Sequence, residues 1–261
     1  MKIRTTAIMN LKGGVAKTTT TVNMAAILAR DYGAKVLVID ADSQCNTTEF
    51  FGVKSAFGNL SLILRQPPDA RTPFGAACAC VQFTDYEGIS IIAGDESLMD
   101  LDLSKVELGK VSINILRELV EEVDGVYDYI LIDCPPAFNA ASAAALVAAD
   151  DVVIPIKLDA FALRGMSNLM RQIKNMRKLN PRLKLAGLLP TMWYNDPQIR
   201  DAEEQLREAH LPVFPHIRRS DKVDRMTFQQ DPLLISSPNS AAGVDYRRFV
   251  AEYVRGGHDE L

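Results

Sequence analysis

The chain has 261 residues, 48% of them hydrophobic, and carries a formal net charge of −4 at pH 7. A chain of this size buries a full core without staples; no run approaches the roughly 18–20 apolar residues of a membrane span, and the N-terminus lacks the apolar region of a signal peptide, so a cytoplasmic protein is expected. The four cysteines (Cys45, Cys78, Cys80, Cys134) and three histidines (His210, His216, His258) fall in no disulfide, zinc or hydrolase spacing, which leaves zinc hydrolysis and serine-type catalysis nothing to build on.

Short apolar runs alternate with longer stretches of helical period along the chain. Strands are expected at Thr6–Asn10, Lys35–Ile39, Ile89–Ile92, Tyr129–Ile132, Asp151–Ile156, Leu183–Thr191 and Val213–His216. Helices are expected near 18–31, 105–123, 139–149, 162–179, 197–209, 220–229 and 240–255. Gly33 suits the C′ position of the first helix and Pro197 the first turn of a later one. The segment 43–88 reads as an insertion with short helices and a turn at Gln66-Pro67-Pro68-Asp69. The alternation predicts one α/β domain, doubly wound, with a mainly parallel sheet and helices on both faces. The first strand begins so early that no N-terminal helix-turn-helix is expected. From Ala160 to Asn195 there are seven basic residues and no acidic one, a local basic face on an acidic protein.

Between the first strand and the first helix lies Asn10-Leu11-Lys12-Gly13-Gly14-Val15-Ala16-Lys17-Thr18-Thr19. A glycine-rich turn opening a helix exposes backbone N–H groups, and the helix N-terminus adds partial positive charge, so the turn holds phosphate. Gly13 and Gly14 let the chain approach an anion. Lys17 reaches β- and γ-phosphate oxygens, and the Thr18 hydroxyl can ligate Mg²⁺. The strict eight-residue pattern fails, because it requires glycine where Leu11 and Ala16 stand. Lys12 is surplus to it, and position alone does not separate a solvated loop lysine from a functional one. Two apolar strands end in acidic residues, Val36–Ile39 in Asp40-Ala41-Asp42 and Tyr129–Ile132 in Asp133. Carboxylates at the carboxyl ends of parallel strands face the ligand crevice of α/β proteins, where they hold Mg²⁺ or orient an attacking water.

These residues resemble the ParA/MinD group of deviant Walker ATPases, and within it the ParA (Soj-like) partition proteins. The resemblance is carried by "KGGVAKTTTTVNMAAILA" (12–29), "VLVIDADSQCNTT" (36–48), "YDYILIDCPPAFNAASAAALVAADDVVIPI" (127–156), "ALRGMSNL" (162–169) and "GLLPTMW" (187–193). It implies a P-loop NTPase fold and slow, partner-stimulated hydrolysis of ATP with Mg²⁺. Lys12 would be the signature lysine that reaches the partner's ATP across a nucleotide-sandwich homodimer, like an arginine finger. Gly13, Gly14, Val15 and Ala16 would form the loop. Lys17 would bind the β/γ-phosphates, Thr18 the Mg²⁺ and Thr19 the α-phosphate. Asp42 would position the attacking water, and Asp40 and Asp133 would support the metal and its water shell. Pro135-Pro136 and the alanine-rich run after them would form a switch segment. Adenine would be read at Thr191-Met192 and at His216-Ile217-Arg218.

The resemblance further implies nonspecific DNA binding by the ATP dimer, release by a ParB-like adaptor, and a nucleoid-associated cytoplasmic location. Arg171, Lys174 and Lys178 are spaced to share one helix face, and Arg218, Arg219, Lys222 and Arg225 lie where the family's DNA-contacting residues fall. Two departures from the family pattern are Ala16 for glycine and Ser43 for proline. A ParA-like ATPase that positions a protein cargo is the near alternative. A MinD-like membrane-associated ATPase is the other. Against membrane binding, the stripe Tyr246, Phe249, Val250, Tyr253 and Val254 is expected to dock on the core, and an acidic tail after Gly256 is a poor lipid anchor.

Overall fold

The computed structural model describes residues 3–65, 79–159 and 162–256. Among them, seven strands form one sheet: β1 (Arg4–Ile8), β2 (Val36–Asp40), β3 (Val81–Phe83), β4 (Ile89–Ile92), β5 (Tyr129–Asp133), β6 (Asp151–Lys157) and β7 (Lys184–Thr191). Their order is β3-β4-β2-β5-β1-β6-β7, and every pairing is parallel except that of β3 with β4. β1 sits inside the sheet, with β2 reached on one side past β5 and β6 on the other side. Such a reversal of strand order opens a crevice at the strands' carboxyl ends.

Eleven helices are described: α1 (Lys17–Tyr32), α2 (Asn46–Phe50), α3 (Leu60–Leu64), α4 (Leu103–Glu107), α5 (Ile115–Glu122), α6 (Ala140–Ala148), α7 (Ala162–Met176), α8 (Pro197–Glu208), α9 (Asp221–Gln229), α10 (Leu233–Ser236) and α11 (Ala241–Gly256). The strands are apolar on both faces because helices cover both. Leu37, Ile39, Ile130 and Ile132 face the core under α5 and α6, whereas Val36, Val38 and Leu131 face the core under α1 and α11. All nine residues of α6 are buried, six of them alanine, and these small side chains let the helix lie close to its neighbours.

Several expected boundaries shift for identifiable reasons. The helix expected over 105–123 is two, because Gly109 adopts φ 68 and closes α4. α7 ends at Met176, so Lys178 lies in the following turn rather than on the helix with Arg171 and Lys174. There Asn180 donates from Nδ2 to the carbonyls of Leu146 and Ala149 (3.0 and 2.6 Å), and Pro181 disfavours continued helix before it. Val213–His216 makes a single isolated bridge, Leu188 to Val213, with a second beyond it from Trp193 to Arg218, since Pro212 and Pro215 supply no N–H donors. β3 was not expected; its three residues are too few to show a period. Gly33 and Pro197 hold the cap positions expected of them. The Gln66–Asp69 turn, Cys78, Ala160 and the tail after Gly256 lie outside the described residues.

The last helix closes the molecule. The apolar stripe of α11 is buried, with Tyr246 and Tyr253 1% exposed and Phe249 and Val250 0%. The Tyr246 hydroxyl meets Thr20 Oγ1 of α1 at 3.3 Å, and the Tyr253 hydroxyl bonds Thr6 Oγ1 of β1. Arg4 donates to Asp151 Oδ2 (2.7 Å) and to the Tyr253 carbonyl (3.0 Å), with its guanidinium 3.8 Å from the Tyr253 ring centroid. Replacing Arg4 by Ala strands a buried carboxylate, so urea denaturation of that variant is expected to show a loss of about 2 kcal/mol. This is below the usual cost of breaking a buried pair because Arg4 keeps an edge in water.

Candidate active site

The loop between β1 and α1 is held from below. Asn10 donates from Nδ2 to the Pro155 carbonyl (2.8 Å) and accepts the Lys12 N–H on Oδ1 (3.0 Å), while Thr191 Oγ1 donates to the Val15 carbonyl (3.1 Å). Gly14 adopts φ 67, and a Cβ at Gly13 or Gly14 would meet nothing within 4 Å. Side chains there would stand in the open cradle above the helix N-terminus. Ala16 caps α1 in the left-handed region, φ 68 and ψ 34, with its carbonyl accepting the Thr20 N–H at 2.9 Å. The position the family fills with glycine therefore does require positive φ, which costs a Cβ-bearing residue about 1–2 kcal/mol.

The two lysines of the loop differ. Lys17 is buried, 7% exposed. The Lys12 side chain is 40% exposed, and its ammonium pairs with Asp159, just beyond β6. Asp159 escaped the sequence reading, because a lone carboxylate after a strand has no local signature. Among partly exposed groups such a pair contributes under about 1 kcal/mol.

Thr18, Asp40, Asp42 and Asp133 meet at the ends of β2 and β5, where Asp40 and Asp133 are register partners on adjacent strands. Asp133 Oδ2 accepts from Thr18 Oγ1 (2.7 Å) and from Thr47 Oγ1 (2.6 Å), whereas its Oδ1 is buried without a partner. Asp40 is committed elsewhere. Its Oδ2 accepts the Thr48 N–H and hydroxyl (2.8 and 2.7 Å), and its Oδ1 accepts the Asp42 N–H (3.2 Å). Asp42 is 8% exposed and accepts the Gln44 N–H on Oδ1 at 3.0 Å. Thr18 and Asp133 are thus brought together, while Asp40 stands behind them and orders α2.

Burial, reinforced by Asp133, pushes the Asp40 carboxyl up to about 7. Burial likewise raises Asp133 to about 6, against the opposing pull of Thr47, Thr18 and Lys17. A hydroxyl, a carboxylate and an unpartnered carboxylate oxygen are hard oxygen donors, and they fit Mg²⁺. No group of three or more His, Cys, Asp or Glu among the described residues is arranged to hold an ion. Burial and nearby carboxylates hold the Cys45 thiol up at about 12, and burial raises Cys134 too, so neither is a ready thiolate.

The candidate adenine residues adjoin the loop. Met192 follows Thr191 with φ 54, and Ile217, 3% exposed, exchanges backbone bonds with Pro190 and Trp193. His216 stacks on Trp193 at 4.0 Å and meets Glu203 Oε2 at 3.0 Å. Among the candidate nucleic-acid contacts, Arg171, Lys174 and Lys178 are exposed, as are Arg219 and Arg225. Lys222 lies 3.8 Å from Asp221. Arg218 is engaged: it holds buried Asp245 through Nε (2.7 Å) and Nη2 (2.9 Å), and burial of that carboxylate ties the loop to α11.

A family model described as AAA domain matches residues 3–185. The chain is 36% identical over 266 residues to the chromosome partitioning protein ParA of Caulobacter vibrioides, covering 98% of this chain and 96% of that protein. It is 35% identical over 258 residues to the sporulation initiation inhibitor protein Soj of Bacillus subtilis, covering 96% of this chain and 98% of that one. Among solved structures it is similar to cobyrinic acid a,c-diamide synthase from Mycobacterium smegmatis with bound ADP and magnesium, at TM-score 0.79 and 27% identity, covering 99% of this chain and 97% of that chain.

Ala16→Gly relieves left-handed strain but loosens the unfolded chain, so a net gain of about 0.5–1 kcal/mol is expected from urea denaturation. An unchanged or lowered midpoint would show that the loop carries no such strain. Both carboxyls titrate higher in the folded protein than near pH 4, as in an unfolded chain, so the native state binds the more protons in between. Stability in EDTA is therefore expected to fall as pH rises from about 4 to 7. In Asp40→Asn that fall should shrink, which thermal denaturation at pH 5 and pH 8 will measure.

Proposed function

Because the chain belongs to the ParA/Soj family of partition ATPases, we propose that it works as a dimer-gated ATP switch. In this reading it binds DNA without sequence preference in the ATP state, and a ParB-like adaptor releases it by stimulating slow hydrolysis. The observation that carries the reading is the contrast between the two loop lysines: Lys17 is buried in its own phosphate cradle, while Lys12 stands at the loop's partly exposed surface. A cation in that position serves a second subunit's nucleotide.

The chain's own groups divide the work. Backbone N–H groups of residues 13–19 and the α1 N-terminus hold the phosphates, with Lys17 neutralising them. Thr18 and Asp133 would hold Mg²⁺, which would supply Lewis-acid neutralisation of phosphate charge. Asp42, a strand-end carboxylate that accepts the Gln44 N–H on Oδ1, orients the attacking water. Lys12 must leave Asp159 to cross the dimer, and a partly exposed ion pair yields at little cost. Met192 and Ile217 bound the adenine. Arg171, Lys174, Lys178, Arg219, Lys222 and Arg225 supply phosphate contacts, and Arg218 shapes their loop through Asp245. The apolar stripe of α11 is spent on the core, which argues against the membrane-associated alternative.

With nonhydrolysable ATP and Mg²⁺, gel shifts are expected on unrelated DNA sequences and to weaken steeply with salt; no shift at low salt would sink the proposal. Lys12→Ala is expected to abolish adaptor-stimulated turnover while monomeric nucleotide binding persists, and unchanged turnover removes its trans role. Asp42→Ala is expected to trap the ATP form on DNA. Hydrolysis at the original rate in that variant would reassign the water-positioning role.

A further inference from the structure

α2 has five residues, and its N-cap, Cys45, offers no side-chain cap. A helix this short does not hold itself in place; its tethers do. At one end they are the consecutive threonines, Thr47 to Asp133 Oδ2 (2.6 Å) and Thr48 to Asp40 Oδ2 (2.7 Å), with Thr48 Oγ1 also accepting the Gly94 N–H at 2.8 Å. Thr18 of the phosphate loop shares the same Asp133 oxygen as Thr47, at 2.7 Å. At the other end, the Glu49 carbonyl accepts from Gln230 Nε2 at 2.9 Å. Gln230 is the residue that ends α9, in the left-handed region at φ 56, and its own carbonyl accepts the Tyr86 hydroxyl at 2.8 Å.

Between α1, α2 and α9 lies a cavity of about 280 Å³ lined by Thr18, Thr19, Asn46, Glu49, Met226 and Gln230, among others. α2 therefore has room beside it and fixed points at both ends. We propose that α2 is a lever joining the Thr18–Asp133 contact to α9, the helix that bears Lys222 and Arg225, with Thr47 and Gln230 as its positioning residues. The proposal rests on the nucleotide and DNA roles given above. Thr18 and Thr47 share one carboxylate oxygen, so drawing the Thr18 hydroxyl toward a bound Mg²⁺ leaves that oxygen to Thr47 alone and shifts what holds it, and hence where α2 sits. Gln230 carries that shift to the end of α9, whose basic side chains turn with it.

Hydrogen exchange of the full chain, with and without saturating Mg²⁺ and nonhydrolysable ATP, tests the lever directly. In the wild type, nucleotide is expected to change exchange in both 46–50 and 221–230. Gln230→Gly keeps the left-handed backbone and removes the amide; it should retain the response at 46–50 and lose it at 221–230. Thr47→Val should lose both. In each variant the ratio of DNA affinity with nucleotide to that without is expected to fall at least about five-fold, the low end of usual coupling between sites. A response at 221–230 that survives Gln230→Gly overturns the proposal, as does a wild type in which 46–50 does not respond. If the wild type binds no DNA, the partition reading fails while the exchange measurement still decides the lever.

Discussion

Two carboxylates buried side by side, Asp40 and Asp133, are the constraint around which the rest of the site is arranged. Neighbouring parallel strands put them in register, and neither reaches water. Like charges so placed repel, and each loses hydration, so the pair persists only where donors surround it. The chain supplies them from three segments: the Thr18 hydroxyl from the phosphate loop, the Thr47 and Thr48 hydroxyls from α2, and the Asp42 N–H from the β2 turn. One oxygen, Asp133 Oδ1, is left over. In the function proposed above, a divalent cation would complete the set at that oxygen.

The same constraint explains the division of labour among the acidic residues. Asp40, with both oxygens taken, is an architectural group that orders the segment after β2. Asp133 is the shared acceptor whose bonding can change. Asp42, two residues onward and 8% exposed, accepts the Gln44 N–H on Oδ1, and under the proposed function it is the carboxylate that orients water. Strand-end carboxylates that read alike in the sequence thus do different things, and only their hydrogen bonds separate them.

The parallel sheet, the order of its elements and the phosphate loop were legible in the sequence because each rests on local patterning: apolar strands, helical period, a glycine turn before a helix. Ala16 was legible as a departure from the family's glycine, and its φ of 68 gives that departure a cost. What was not legible depends on partners distant in sequence. Asp159 acquires meaning only through Lys12, 147 residues away, and Arg218 is drawn from the basic face by Asp245, which reads as an ordinary helix-surface acid until α11 is docked. Helix ends were misjudged where one residue decided them, at Gly109 and before Pro181. Thr47 and Thr48 stood inside a quoted motif, yet nothing in their spacing said that each would seek a different aspartate.

Both margins of the sheet are closed to growth. On one side stands β3, three residues long and antiparallel to its neighbour; on the other, the run from Pro212 to Arg219 lies along β7 but is interrupted by prolines, so it has bridges rather than a continuous ladder. Short, broken margins do not template another chain's strand. Copies of this protein crowded together are thereby kept from fusing through their backbones, and any association between them is left to side-chain surfaces.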